Sequence, residues 1–169
     1  MSLYLQMDRF EGSLDYALEL AQKGYQIDST NLRMIYARAR THHKRKEYDE
    51  TIYTVERALS LGDTVPYYQT ILSVACLKTE QTRPEEAVFH LQHVLEHDKP
   101  SEAVYRYLGL AWRELEQPDS SLQAYQMAIE AGISPRLFQY HQEMGDVLAA
   151  EGRLKDALTE YQIAYELQP

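Results

Sequence analysis

Little in this 169-residue chain can form a crosslink: it holds one cysteine, Cys76, which excludes an internal disulfide and a thiolate zinc cluster. Apolar runs are short. The best candidate, Thr70 to Leu77, is interrupted by Ser73 and falls well below the roughly 18 residues that span a bilayer. Positive charge is scarce too, with 17 Lys+Arg against 26 Asp+Glu, and a net charge of −9 argues against nucleic acid or a membrane surface as partner. The opening MSLYLQMDRF lacks the basic segment and apolar core of a secretory signal, so the expected setting is cytoplasmic. There is no phosphate loop, no G-x-S-x-G, no H-E-x-x-H and no carboxylate pair set apart from ordinary surface charge, so no catalytic residue, cofactor or metal is expected. With six prolines and seven glycines, punctuation is sparse. What the chain has in quantity is tyrosine, 14 residues, within the 44% hydrophobic and 25% charged balance of an ordinary folded domain.

Self-similarity is the strongest signal. Ala17, Thr51, Ala87, Ser121 and Ala157 form a column of small residues spaced 34, 36, 34 and 36 apart. Four residues later come Ala21, Val55, Leu91, Tyr125 and Tyr161; three after those come Gly24, Ala58, Val94, Ala128 and Ala164. The next residue is always large: Tyr25, Leu59, Leu95, Ile129 and Tyr165. Offsets of four, three and one lie on a single helical stripe, so each segment reads as the second helix of a repeated unit. A first helix precedes each. Leu108-Gly109 and Met144-Gly145 lie twelve residues before Ser121 and Ala157, and Ala39 lies twelve before Thr51. Ala75 holds that place in the third unit, with a register open by two residues because of an insertion around Glu80 to Arg83. Pro84 and Pro118 start second helices, where a missing N–H costs nothing, and Pro100, Pro135 and Pro169 close units.

This reading predicts ten short helices in five antiparallel pairs and no strands. Gly109 and Gly145 sit where the two helices of a pair cross, opposite the small column, and the Tyr125 and Tyr161 column fills the space between one pair and the next. No pair can bury its apolar stripe alone, so the pairs must stack. Cys76 reads as a small buried hydrophobe, and Trp112 occupies a core slot.

The spacing Gly, then small, aromatic and Ala at 12, 16 and 19 residues, then Pro, resembles the tetratricopeptide repeat (TPR). Met144-Gly145, Leu148, Ala157, Tyr161, Ala164 and Pro169 match nearly throughout; Leu108-Gly109, Trp112, Tyr125 and Ala128 match well, with Ser121 in the alanine slot. The resemblance covers essentially the whole chain and implies an all-α, right-handed α-solenoid of about five helix-turn-helix units. The expected boundaries are 1–29 (partial), 30–64, 65–100, 101–136 and 137–169. Arg38 and His42 depart from the pattern, standing where Leu and an aromatic are usual; the Arg stem can cover apolar surface while its head reaches water.

The resemblance implies that first helices line a concave groove where a partner peptide binds, and hence a non-enzymatic protein–protein interaction scaffold. By helical phase the groove face carries Arg33, Tyr36, Arg40, His43 and Lys44 in the second unit and Arg106, Tyr107, Leu110 and Arg113 in the fourth. In the fifth it carries Gln139, Gln142, Glu143 and Asp146. Residues 29–46 contain six bases, two histidines and no acid, whereas the rest of the chain has all 26 acids and 11 bases. Guanidinium groups beside tyrosines suit a carboxylate or an acidic, aromatic peptide; the alternative is a solvated face that happens to be basic. The Lys/Asn clamp by which chaperone-binding members hold a C-terminal carboxylate is missing, since the comparable slots hold Tyr36, Arg40, Leu72, Cys76, Arg106 and Leu110.

His90, His93 and His97 share a stripe with Glu86 and are expected to face solvent without forming a metal site; His42 and His43 join the basic stripe, and His141 faces the helix-pair core. No polar capping helix follows the fifth unit. The chain is therefore expected to be part of a longer array or to self-associate through its terminal repeats, where Leu154, Leu158, Tyr161 and Tyr165 would form an apolar patch. Two further readings are a regulatory or docking segment of a larger multidomain protein or enzyme, and, more remotely, an RNA-binding helical-repeat protein.

Overall fold

A computed structural model describes residues 13–62, 65–97, 101–132 and 135–168. Among them every regular element is helical: α1 (Ser13–Ile27), α2 (Leu32–Lys44), α3 (Tyr48–Ser60), α4 (Pro66–Cys76), α5 (Pro84–His97), α6 (Glu102–Glu114), α7 (Pro118–Ala131), α8 (Leu137–Ala150) and α9 (Leu154–Leu167). The tenth expected helix, together with Pro100 and Pro169, lies outside the described residues.

Local chemistry sets the boundaries. Asn31 caps α2 by accepting from the Arg33 N–H at 3.1 Å, and the Ser101 hydroxyl accepts from Val104 at the start of α6. Pro66, Pro84 and Pro118 open α4, α5 and α7 as expected of residues without an N–H. The turns that end α2, α6 and α8 are copies of one another. In each, one N–H reaches back three residues and the next reaches back five: Lys46 to His43 and Glu47 to His42, Glu116 to Arg113 and Gln117 to Trp112, Gly152 to Ala149 and Arg153 to Leu148, at 2.9–3.0 Å. Such a closure needs a left-handed residue, with φ of 61° at Lys46, 56° at Glu116 and 73° at Gly152. Only the last is the residue type that adopts it without strain.

The third turn is different. Helices α2 and α6 place the small residue of the crossing eight positions after the N-cap (Asn31 to Ala39, Ser101 to Gly109); counted from Val65, that position is Ser73. Ala75, the residue expected there, lies two positions further on and is equally buried. Ser73 is fully buried, with its hydroxyl donating to the Gln69 carbonyl. Helix α4 then stops at Cys76 and residues 77–83 run without helix to Pro84. The chain divides here into two compact units, one reaching to Thr82 and the other starting at Arg83. In the first unit α1 packs on α2, α2 on α3, α3 on α4, and α2 also touches α4. In the second, α5 to α9 each pack on the next.

The small column is buried as the periodicity requires: Ala17, Thr51, Ala87, Ser121 and Ala157 are at most 2% exposed. Ala21, Val55, Leu91 and Tyr125, and then Ala58, Val94, Ala128 and Ala164, are buried beside it, as is Cys76. The larger residues depart from expectation. The rings of Tyr125 and Tyr161 lie on the glycines of their own pair, a seat the spacing did not foresee. A Cβ on Gly109 would stand 2.8 Å from the Tyr125 ring, and one on Gly145 would stand 2.5 Å from that of Tyr161. Glycine is thus the seat of a tyrosine, and the small column secures the backbone beside it, Ser121 Oγ donating to Gly109 O at 2.8 Å. The fourth column is shallower than its apolar character implies: Tyr25, Leu59, Leu95 and Ile129 are half-buried and Tyr165 is exposed. Trp112 is half-buried as well.

Candidate functional site

In the first unit the basic stretch divides between two faces of α2. Arg38 and His42, the two residues that break the repeat pattern, turn inward. The Arg38 guanidinium lies over the Tyr25 ring of α1, 4.6 Å from its centroid, so the slot of a leucine is filled by a cation on an aromatic face. His42 is buried and its Nδ1 lies 2.6 Å from Glu47 Oε2. Glu47 also accepts from Arg45 Nε at 2.7 Å, and Arg45 reaches on to Asp15 of α1. The hydrogen bond with His42 is the main reason that the Glu47 carboxyl titrates below its usual range. His42 and Arg45 therefore tie the turn after α2 together and, through Asp15, anchor it to α1; they do not belong to the exposed stripe.

The opposite face of α2 carries the expected set. Arg33 and Lys44 are exposed, and Tyr36, Arg40 and His43 are half-buried. Tyr36 stacks face to face on Tyr68 of α4, with centroids 3.6 Å apart and planes within 2°. Tyr67, which is exposed, meets the edge of Tyr68 at 5.1 Å. An aromatic floor thus joins the first helices of two successive repeats, with Arg33 and Arg40 one turn to either side of Tyr36. Sequence reasoning found Tyr36 and missed Tyr67 and Tyr68, whose signal was present as the pair that follows Pro66. His43 sets its ring edgewise to Tyr48, and burial lowers its pKa from the ordinary imidazole value.

The second unit uses the same face differently. Arg106 of α6 and Glu143 of α8, each expected on the groove, are brought together: Arg106 Nε lies 3.1 Å from both carboxylate oxygens and Nη2 donates to Oε1 as well. The Tyr140 hydroxyl joins Glu102 across the same two helices. Arg106 also stands 5.7 Å from the Tyr107 ring centroid, and Arg113 pairs loosely with Glu114 at 3.4 Å. Asp146 accepts from the Tyr161 hydroxyl at 2.8 Å. The charge that sequence analysis assigned to this face is thus matched within the unit, because the acid supplied by the fifth repeat sits opposite the base of the fourth.

The histidines on α5 are less exposed than expected. His90 and His93 are half-buried, His97 is exposed and stacks on His93 at 4.2 Å, and the exposed large apolar side chain of that helix is Phe89. Among the described residues no three His, Cys, Asp or Glu side chains are gathered as a metal would need. His141 is held between α8 and α9, its Nδ1 2.7 Å from Glu160, as its core-facing phase implies. No helix among the described residues is long and apolar enough to cross a membrane.

No protein-family model matches the sequence, and no characterised protein matches it by sequence. Solved structures do match in three dimensions. The structure of MamA superposes with a TM-score of 0.84 at 20% identity, covering 99% of this chain and 95% of its own. MamA from Desulfovibrio magneticus RS-1 gives 0.83 at 21% identity over 93% and 86% of the two chains. YrrB, described as a TPR protein with an unusual peptide-binding site, gives 0.81 at 22% identity over 94% and 79%. With the repeat columns buried and the helix-turn-helix units in place, the chain has the tetratricopeptide-repeat fold.

Proposed function

We propose that this chain is a non-enzymatic scaffold that binds a protein or peptide segment on the first-helix face of its repeats. The observation that carries the reading is the face of α2 and α4: Arg33, Tyr36, Arg40, His43 and Lys44 share the face of α2 that holds the Tyr36–Tyr68 stack, in residues 29–46, where six bases stand with no acid. Guanidinium groups flanking an aromatic floor hold carboxylates by charge-assisted hydrogen bonds and aromatic side chains by stacking, so the preferred ligand is an acidic peptide with an aromatic residue. YrrB, described as having a peptide-binding site, supports a peptide as ligand, and the net charge of −9 favours a protein partner over nucleic acid or a membrane. Arg106, Tyr107 and Arg113 form the corresponding face of the second unit. There the Arg106–Glu143 pair supports a role in holding α6 to α8, with recognition concentrated in the first unit.

The test is affinity capture and titration with acidic peptides that contain or lack an aromatic residue. Arg33→Ala/Arg40→Ala is expected to weaken binding at least tenfold with the helical content unchanged. Arg106→Ala should lower thermal stability with a smaller effect on affinity. Equal binding by wild type and the Arg33/Arg40 variant would remove the face from the proposal.

A further inference from the structure

Within the basic face of α2, His43 is the member whose charge changes near neutral pH. It follows Tyr36 by seven residues and Arg40 by three, spacings that keep all three on one side of the helix. Its ring is half-buried and stands edgewise to Tyr48 at the start of α3, the centroids 6.2 Å apart. Nδ1 is enclosed without a hydrogen-bond partner, so no acceptor among the described residues favours a proton there. The charged groups of the neighbouring elements are engaged elsewhere. Asp15 of α1 meets Arg45, Glu47 holds His42 and Arg45, and Asp49 of α3 accepts from the Thr79 hydroxyl. From α4, Tyr68 lies against Tyr36; on α2 itself the charge beside the ring is that of Arg40 and Lys44. Burial alone acts on the imidazole and lowers its pKa, which leaves it uncharged at neutral pH.

We infer that an acidic peptide on this face draws a proton onto His43 and is held more tightly as pH falls below neutrality, an inference that rests on the peptide-binding reading of α2 and α4. In the free chain a charged ring has nothing to meet, since its neighbours on the face are already cations. A ligand carboxylate seated beside Arg40 reverses that balance and supplies the counter-ion that the ring lacks. The imidazole then takes one proton from solvent, and no covalent bond of the peptide changes. Proton and peptide favour each other by the same factor, as linkage requires. The window lies between pH 7.5 and 5.5. Glutamate side chains of the ligand, with an ordinary pKa of about 4.3, stay ionised throughout it. Loss of ligand charge would in any case weaken binding toward acid, the opposite direction.

Titration calorimetry at pH 7.5 and 5.5 tests this, with a synthetic peptide of glutamates around one tyrosine and its glutamine counterpart as probes. Circular dichroism shows that each variant remains helical at both pH values. The wild type is expected to bind the glutamate peptide about two- to fivefold more tightly at pH 5.5, the increment of one partly exposed charge pair. His43→Gln should abolish that gain, and so should His43→Arg, whose charge is present at both pH values. His90→Gln, in the second unit, should leave the gain intact. In NMR, the His43 Cε1–H resonance should titrate at higher pH with the glutamate peptide bound than without it. A glutamate peptide bound equally at both pH values, or a gain that survives His43→Gln, overturns the role of His43 and leaves the peptide-binding face standing. Absence of binding at either pH removes the face itself, and this inference with it.

Discussion

Two glycines that look alike in sequence differ in what they tolerate. Gly109 and Gly145 each seat a tyrosine ring, but Tyr125 is fully buried and cannot withdraw, whereas Tyr161 is half-buried on α9 with room to swing outward. Gly109→Ala is therefore expected to destabilise by about 1–3 kcal/mol through overpacking. Gly145→Ala should be close to neutral, since the gain in helix propensity of about 1 kcal/mol offsets the shift of the ring. Denaturant midpoints of the two variants compare them directly. The left-handed turn residues make a converse case. Lys46 and Glu116 adopt a φ near 60° that costs a side-chain-bearing residue about 1–2 kcal/mol, so Glu116→Gly should raise the melting temperature despite the added freedom of the unfolded chain.

Titration belongs to this scale as well. Burial lowers the pKa of His43 in the first unit and of His90 in the second from the ordinary 6.5. The folded state then binds fewer protons than the unfolded one as pH falls through 6.5, so stability declines from neutral pH toward acid. His43→Gln should flatten that decline in the first unit. The Glu47 carboxyl shifts downward, chiefly through its bond to His42, and supplies stability above its unfolded value that is lost as pH falls through its folded one. A second decline at lower pH is therefore expected, reduced in Glu47→Gln. Stability measured against pH across both windows would separate the two groups.

At the scale of the helix, the same repeat position serves two ends. First helices α2 and α4 meet through an aromatic stack, whereas α6 and α8 meet through an ion pair shielded on both sides, with Arg106 and Glu143 only 24% and 14% exposed in their side chains. Breaking such a pair from one side leaves a half-buried charge uncompensated. Arg106→Ala and Arg106→Met should therefore both destabilise, since each strands the Glu143 carboxylate, and Glu143→Gln should cost less, because its neutral amide can still accept from Arg106. Thermal unfolding of the three variants ranks them. The helices themselves were legible from their punctuation: Pro84 and Pro118 stand where they were expected to stand. The third crossing is less legible, because the seven residues after α4 break the spacing back from Ala87, and Ser73 and Ala75 are both fully buried.

For the whole molecule, the proposed recognition of acid through Arg33 and Arg40 predicts binding that weakens as salt rises, since exposed charges are screened over about 8–10 Å at physiological ionic strength. A peptide affinity unchanged between low and high salt would point to the tyrosines as the principal contact. The chain's periodicity, by itself, determined the fold: small residues 34 and 36 apart, set at helical offsets, leave nearly no way to be buried except in crossed helix pairs. It also determined which face is basic. What only the tertiary structure decided is which of those charges remain on the surface. Arg106 met Glu143, Arg45 met Asp15 and Arg38 covered Tyr25, all partners 13 to 37 residues away and set by how neighbouring helices lie together. Helical phase places a side chain on a face, but the side chain's partner comes from another helix, and a single strand of letters carries no distance between them.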